Sequence, residues 1–307
     1  MKLSMVLPVH NESDTLREFF SELLSVVENL GLDFEAVFIN DGSSDDSLAL
    51  MRLIKDEFSN RAEIVILDLA RNFGHQAAVT AGVENSTGDA ILVMDTDLQD
   101  DPAVIPEMIA KWRAGADVVY ATRTSREEPL PLRILFKTYY LVFSRITPIE
   151  IPHAAGNFGL IDRRVAEEMR LLPEHNRYYP GLRAWVGFRQ DGVDSPRRAR
   201  ASGASRVGFL GLTELALNGL FGFSALPLRL AFAVAILLAL AGVTGIAVIF
   251  YIKIFTNLAV PMWSSIMTLI IFTASAQFFL IGLLGEYVAR IYTEVKHRPN
   301  YIIRDRY

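Results

Sequence analysis

The stretch "VMDTDLQDDP" places Asp95, Asp97, Asp100 and Asp101 within seven consecutive positions, directly behind the apolar run 90–94. If the chain stays extended past Met94, Asp95 and Asp97 project to one face and Thr96 to the other, because strand side chains alternate. Two carboxylates on one face repel each other and need a cation. A hard divalent ion, Mg²⁺ or Mn²⁺, suits them: it prefers oxygen ligands, keeps waters, and is shared between one or two carboxylates and a substrate diphosphate. Such an ion stabilises the charge on a departing nucleoside diphosphate as a Lewis acid. Taken alone, Asp-x-Asp is weak evidence against loop solvation and capping. Its place at the carboxyl end of a strand strengthens it. Asp101 before Pro102 suits an N-cap ahead of a first-turn proline, a structural role.

The elements that must position these carboxylates alternate regularly. Strands are expected over 3–9, 34–40, 63–69, 90–95 and 117–122, and helices over 13–30, 45–58, 74–83 and 102–114. That alternation is the signature of an α/β domain with a mostly parallel, Rossmann-like sheet wrapped by helices. Ligands of such sheets sit beyond the carboxyl ends of the strands. Three polar clusters therefore converge there: "PVHNE" after the first strand, "NDGSSDDS" after the second and "DTDLQDD" after the fourth. No Gly-x-Gly-x-x-Gly follows a strand and no Walker A pattern exists, so a phosphate held by a glycine-rich turn is disfavoured.

Composition divides the chain further. Its 307 residues are 51% hydrophobic, with a mean hydropathy of +0.27, which is oily for a wholly soluble protein. The formal net charge of −5 offers no basic field to a nucleic acid. Cysteine is absent, which removes disulfides, thiolate catalysis and zinc–cysteine sites and fits a reducing compartment. The first twelve residues carry one basic side chain and break at Pro8, so they read as a first strand rather than a signal peptide.

Residues 230–252 and 260–285 carry no charge, and each is long enough as a helix to cross ~30 Å of hydrocarbon. The short connector makes them a hairpin. Arg229 precedes the first; Arg290, Lys296, Arg298, Arg304 and Arg306 follow the second; Lys253 alone lies near the connector. Both outer ends are therefore expected in the cytoplasm. Two further apolar stretches, 130–146 and 207–223, are too short to span and read as interfacial helices or as core helices of the soluble part.

The ordered motifs "VLPVHNE", "NDGSSDDS", "RNFGHQAAVTAG", "MDTDLQDDP", "AGNFGLIDRR", "GLRAWVGFRQ" and "LLGEYVARIYTEVKHRPNY" resemble the inverting family-2 glycosyltransferases that charge polyprenyl phosphates. The likeness is greatest to the bactoprenol (undecaprenyl phosphate) glycosyltransferases, relatives of dolichol-phosphate mannose synthase, and covers nearly the whole chain. It implies a GT-A domain over 1–206, a juxtamembrane amphipathic segment over 207–226, two transmembrane helices within 227–289 and a basic tail over 290–307. It further implies a multi-pass protein of the cytoplasmic membrane, with catalytic domain and both termini in the cytoplasm, and a homo-oligomer, tetrameric in relatives.

By the same resemblance, Pro8, Val9, Asn11, Glu12 and Asp41 hold the nucleotide, with Arg71, Asp95, Thr96 and Asp97 completing the nucleotide-sugar site. Asp41 in "NDGSS" is alternatively a turn residue, and Arg71 a surface ion-pair partner. Asp95 and Asp97 are the implied catalytic pair, and with Gln99 the implied ligands of Mg²⁺ or Mn²⁺; a neutral amide carbonyl adds a hard ligand without more charge. The acceptor phosphate is anionic near neutral pH, so positioning and charge compensation outweigh a strong base. Arg123, Arg133, Lys137, Arg200 and Arg206 are candidates for holding it, Arg133 and Lys137 being alternatively anchors to anionic lipid.

The chain departs from the resembled pattern in places. "AGDFRLMDRR" becomes "AGNFGLIDRR", so an Asp proposed as catalytic is Asn157 and an Arg is Gly159, while Asp162 reads as a helix cap. Ser205, Arg206 and Val207 stand for Ser-Lys-Tyr, keeping the charge and losing the ring. His10, where Tyr is common, has no second His at ligand spacing and reads as packing. The function implied is inverting transfer of a sugar to undecaprenyl phosphate for cell-envelope glycosylation, with UDP-glucose the leading donor. GDP-mannose or a UDP-aminoarabinose derivative is the alternative within the same chemistry, and a degenerate membrane scaffold the alternative outside it. A processive synthase is disfavoured because Q-x-x-R-W is missing.

Overall fold

The computed structural model describes residues 1–123, 155–175, 177–196, 226–255 and 263–307. Of the expected features, Arg133, Lys137, Arg200, Arg206, the segment 130–146 and all but the last residue of 207–226 lie outside the described residues. The chain divides into two compact units, Met1–Ala216 with Arg298–Tyr307, and Leu217–His297.

The first unit is built on a single sheet of β1 (Lys2–Val9), β2 (Asp33–Asn40), β3 (Glu63–Leu69), β4 (Ala90–Val93), β5 (Val118–Arg123), β6 (Ala155–Asp162), β7 (Gln190–Ser195) and β8 (Ile303–Arg306). Their spatial order is β7-β5-β6-β4-β1-β2-β3-β8. The centre, β4-β1-β2-β3, is parallel, as the alternation of elements requires. The flanks are mixed: β6 runs antiparallel to both β4 and β5, and β8 antiparallel to β3. The sheet is therefore less parallel than the sequence suggests.

Helices α1 (Leu16–Val27), α2 (Ser47–Phe58), α3 (His75–Asn85), α4 (Ile105–Arg113), α5 (Arg163–Leu171) and α6 (Tyr179–Trp185) flank this sheet. In α1 the buried residues Leu16, Phe19, Phe20, Leu23, Leu24 and Val27 recur at three- and four-residue spacing, one apolar stripe facing the sheet. They join Met51 and Ile54 of α2 and Ile105, Met108 and Ile109 of α4 in one core against Leu92, Phe158 and Leu160. Each large apolar side chain buried there contributes about 1.5–3 kcal/mol. Expected and observed boundaries agree within three residues, and the difference that matters for the site is at β4. It ends at Val93, and the chain then bends through 96–98, where Leu98 takes the left-handed φ of 62°. Within the basic tail expected over 290–307, helix continues to Val295 and β8 then enters the sheet.

The second unit contains α7 (Leu226–Phe255), which spans the uncharged stretch 230–252, and α8 (Trp263–Val295), which covers the stretch 260–285 from Trp263 onward. Among the described residues, one helical stretch, Leu269–Val295, is long and apolar enough to cross a membrane, and Leu230–Gly245 is a shorter apolar one. Side chains such as Phe232, Leu240, Phe272 and Phe279 are exposed along them.

Candidate functional site

The three polar clusters do meet at the carboxyl ends of β1, β2 and β4. Asn11, with φ of 56°, turns the chain after β1, donates its N–H to Ser43 Oγ at 3.1 Å and accepts from Ser44 N at 2.8 Å through its Oδ1. Glu12 N donates to Ser47 Oγ at 3.0 Å and Ser13 N to Asp45 Oδ2 at 3.2 Å. Thr96 is buried, and its hydroxyl donates to the carbonyl of Pro8 at 3.2 Å, pinning the acidic loop to β1. Pro8 and Val9 close β1 as part of the buried sheet.

Asp41 takes a more structural position than the resemblance implies. It is 3% exposed, and its two carboxylate oxygens accept from the N–H groups of Phe73 at 2.7 Å and Gly74 at 3.0 Å. It thus ties the β2 tip to the loop ahead of α3. Gly42 permits this approach: it has φ of 60°, and a Cβ there would run into the backbone of Arg71 and Asn72. His10 caps the same junction, its Nδ1 donating to the carbonyl of Asp41 at 2.8 Å, which agrees with a packing role. Arg71 is exposed, stacks over the Phe73 ring at 3.9 Å and donates to the carbonyl of Asn72.

At the acidic loop the strand stops two residues short of Asp95, so strand alternation does not place Asp95 and Asp97 on one face as expected. Burial nevertheless alternates. Asp95, Asp97 and Gln99 are half-buried, whereas Thr96, Leu98 and Asp100 are buried. Asp97 Oδ1 accepts from Gln99 N at 3.2 Å, which closes a tight turn. Asp95 Oδ1 is buried, has no hydrogen-bond partner and stands 3.3 Å from His75 Nε2. The same imidazole nitrogen is 2.7 Å from Asn157 Nδ2, and Asn157 Oδ1 accepts from Gln76 at 3.3 Å. His75 and Gln76, from the first turn of α3, are members of the site that the motif reading did not single out; Asn157, from β6, was named there only as the place of a missing carboxylate. The quoted motif "RNFGHQ" contained the signal for the first two.

Asp101 and Asp162 cap helical turns, accepting from Ala103 N at 2.9 Å and Arg164 N at 3.0 Å. Arg123 is the last residue of β5. Among the described residues no group of three or more His, Cys, Asp or Glu side chains is arranged to hold a metal. The fit for a divalent ion is of another kind: an orphaned carboxylate oxygen on Asp95, with Asp97 two residues on. Such an ion completes its coordination with phosphate oxygens and water.

A mixed sheet with acidic side chains at the tip of its central strand and a separate helical hairpin is the build of a membrane-associated, GT-A-like transferase. The model of the family described as "Glycosyl transferase family 2" matches residues 4–170, and that of "GtrB C-terminal hairpin" matches residues 226–291. The chain belongs to glycosyl transferase family 2. It is 37% identical over 309 residues to the "Bactoprenol glucosyl transferase" of Shigella phage SfV, covering 99% of each chain. It is 38% identical over 308 residues to the "Prophage bactoprenol glucosyl transferase homolog" of Escherichia coli, again covering 99% of each. The glycosyltransferase sll0501 of Synechocystis is 38% identical over 306 residues, covering 99% of this chain and 95% of that protein.

Proposed function

We propose that this chain transfers glucose from UDP-glucose to undecaprenyl phosphate, or a closely similar polyprenyl phosphate, with inversion at the anomeric carbon. Full-length similarity to bactoprenol glucosyl transferases supports the substrate pair. The observation that carries the site is the buried, unpartnered Asp95 Oδ1 where the clusters after β1, β2 and β4 meet. Asp95 and Asp97, with the amide carbonyl of Gln99, would hold Mg²⁺ or Mn²⁺; when bound, that ion supplies Lewis-acid stabilisation of the departing diphosphate. Asn11, Glu12 and the Asp41-supported turn at 73–74 would face the nucleotide, with the exposed Arg71 beside them. One acceptor phosphate oxygen forms the new bond to C1 as the bond from C1 to the UDP oxygen breaks. That oxygen is already anionic, so Asn157 in place of a carboxylate does not disable the reaction. Asn157 instead orients His75 beside Asp95. Arg123, Arg133, Lys137, Arg200 and Arg206 compensate the acceptor's charge.

The second unit serves to hold this site at the cytoplasmic face of the membrane, with α7 and α8 crossing as a hairpin and 130–146 and 207–226 lying at the interface. Chain connectivity supports that topology: the residues after α8 return to the sheet as β8, so both ends of the hairpin lead to the same domain. The assembly proposed is a homo-oligomer, tested by mass in mild detergent. The reaction is tested by incubating purified protein with undecaprenyl phosphate and UDP-glucose, GDP-mannose or UDP-aminoarabinose, then weighing the lipid product. A hexosyl phospholipid from UDP-glucose is expected. No glycosylated lipid from any donor, beside an active relative run in parallel, overturns the reading.

A further inference from the structure

Arg183, on α6, is the largest fully buried side chain among the described residues, 1% exposed. Its Nε, Nη1 and Nη2 are all buried without a well-formed hydrogen bond; the Tyr179 hydroxyl is the one side-chain group that favours its charge by a close polar contact, and it brings no counter-charge. What surrounds it is aromatic: its guanidinium lies 5.6 Å from the Tyr120 ring centre and 5.7 Å from that of Tyr179. The Tyr179 hydroxyl is also buried; burial pushes its pKa up to about 12 against the lowering effect of the Arg183 guanidinium, so it stays a neutral donor. A buried cation without a counter-charge is costly, and rings offset only part of that cost.

Gly159 makes the space. A Cβ on it would stand 2.9 Å from Arg183 Nη1 and 2.8 Å from the carbonyl of Val119. This is the position where the resembled pattern carries Arg. Here the strand side chain is gone, and a guanidinium reaches the same space from a helix. Gly159 pairs with Val93, the last residue of β4, and Asn157 lies two strand residues further toward Asp95, about 7 Å along β6. Gln76 joins the two places, donating to Asn157 Oδ1 and accepting from Tyr179 N at 2.8 Å. Tyr120 is itself half-buried, whereas the guanidinium nitrogens behind it are shut off from solvent, so a ligand reaches them only when this wall moves.

We propose that Arg183 is a phosphate receptor of this enzyme: its guanidinium, with the Tyr179 hydroxyl, pairs with a phosphate group of a bound substrate, through a side chain relocated from β6 to α6. The proposal rests on the glycosyl-transfer reading for its substrates, and the phosphate comes either from the donor's diphosphate or from the lipid acceptor. Full-length protein in detergent, wild type and R183M, is titrated with UDP, inorganic pyrophosphate and farnesyl phosphate, and melted without ligand. Weakening of at least tenfold for one or more of these ligands is expected in R183M. Loss confined to UDP and pyrophosphate identifies the donor, and loss confined to farnesyl phosphate the acceptor. The ligand-free melting temperature is expected to stay level or rise, because an unpaired buried charge has been removed. Affinities within twofold of wild type for all three ligands, with a lowered melting temperature, overturn the proposal and leave Arg183 a packing residue. Should R183M not fold, Arg183→Gln is read in the same way. A wild type that glycosylates lipid while R183M binds normally sinks this inference alone. Arg183-dependent pyrophosphate binding without any lipid product sinks the transfer reading alone.

Discussion

His75 Nε2 stands 3.3 Å from the buried, otherwise unpartnered Oδ1 of Asp95, joining the first turn of α3 to the tip of β4. The same nitrogen faces the Asn157 amide, and it cannot accept there and donate to Asp95 at once, so the imidazole packs beside the carboxylate and leaves Oδ1 open to a cation. His75→Ala removes about 1 kcal/mol of positioning, which is roughly fivefold in kcat/KM. The expected result is that modest loss, with the fold unchanged in a thermal melt. A loss as large as that of Asp95→Asn would make His75 a participant in the chemistry instead.

Asp41 is expected to act through the loop it holds. Asp41→Ala leaves the N–H groups of Phe73 and Gly74 without their acceptors, each bond to a charged group being worth about 1.5–3 kcal/mol. UDP affinity and melting temperature should fall together, with Asp41→Asn between the two. Weakened UDP binding at an unchanged melting temperature would show that Asp41 contacts the nucleotide directly and only that.

Glu35 offers a stability test remote from the site. Burial pushes its carboxyl pKa up, but bonds from Ser4, Thr87 and Lys2 outweigh this and hold it below its ordinary 4.5. A lowered folded pKa contributes stability that is complete above about pH 4.5 and is lost as pH falls through the folded value. Glu35→Gln, which loses the charge that these bonds stabilise, should lower stability near pH 7 by about 1.5–3 kcal/mol, the worth of one hydrogen bond to a charged group. The gap to wild type should narrow as pH falls below 4.5 and through the lowered folded value. A gap that does not change with pH in thermal melts contradicts the assignment.

β8 covers the edge of β3. Ile66 and Tyr307 exchange two backbone hydrogen bonds of 3.0 Å, and Arg52 stacks on the Tyr307 ring at 4.0 Å. Deleting 302–307 opens an edge strand. About 2 kcal/mol of lost stability corresponds to roughly 4–8 °C in a domain of this size. An unchanged melting temperature would mean that the strand contributes nothing to the domain.

The parallel centre of the sheet was legible because β1, β2, β3 and β4 are short apolar runs separated by helical periodicity. The meeting of their polar tips followed from the rule for such sheets. Asp101 and Asp162 were legible as caps because capping is local. β8 was not, since "IRDR" is polar and pairs with a strand more than two hundred residues away. β6 was hidden by its two glycines, Gly156 and Gly159, and its polar Asn157. Arg183 in "GLRAW" reads as a surface residue; only the packing of α6 over Gly159 buries it. The end of β4 at Val93 depends on Thr96 bonding to Pro8, a contact across 88 positions that no local pattern announces.

The most direct measurement is UDP binding by calorimetry with and without Mn²⁺, for wild type, Asp95→Asn and Asp97→Ala, with lipid glycosylation followed on the same samples. The account predicts that Mn²⁺ strengthens binding to wild type, that both variants lose this dependence, and that their turnover falls about 10²- to 10³-fold. Binding and turnover indifferent to Mn²⁺ and to both substitutions would contradict it.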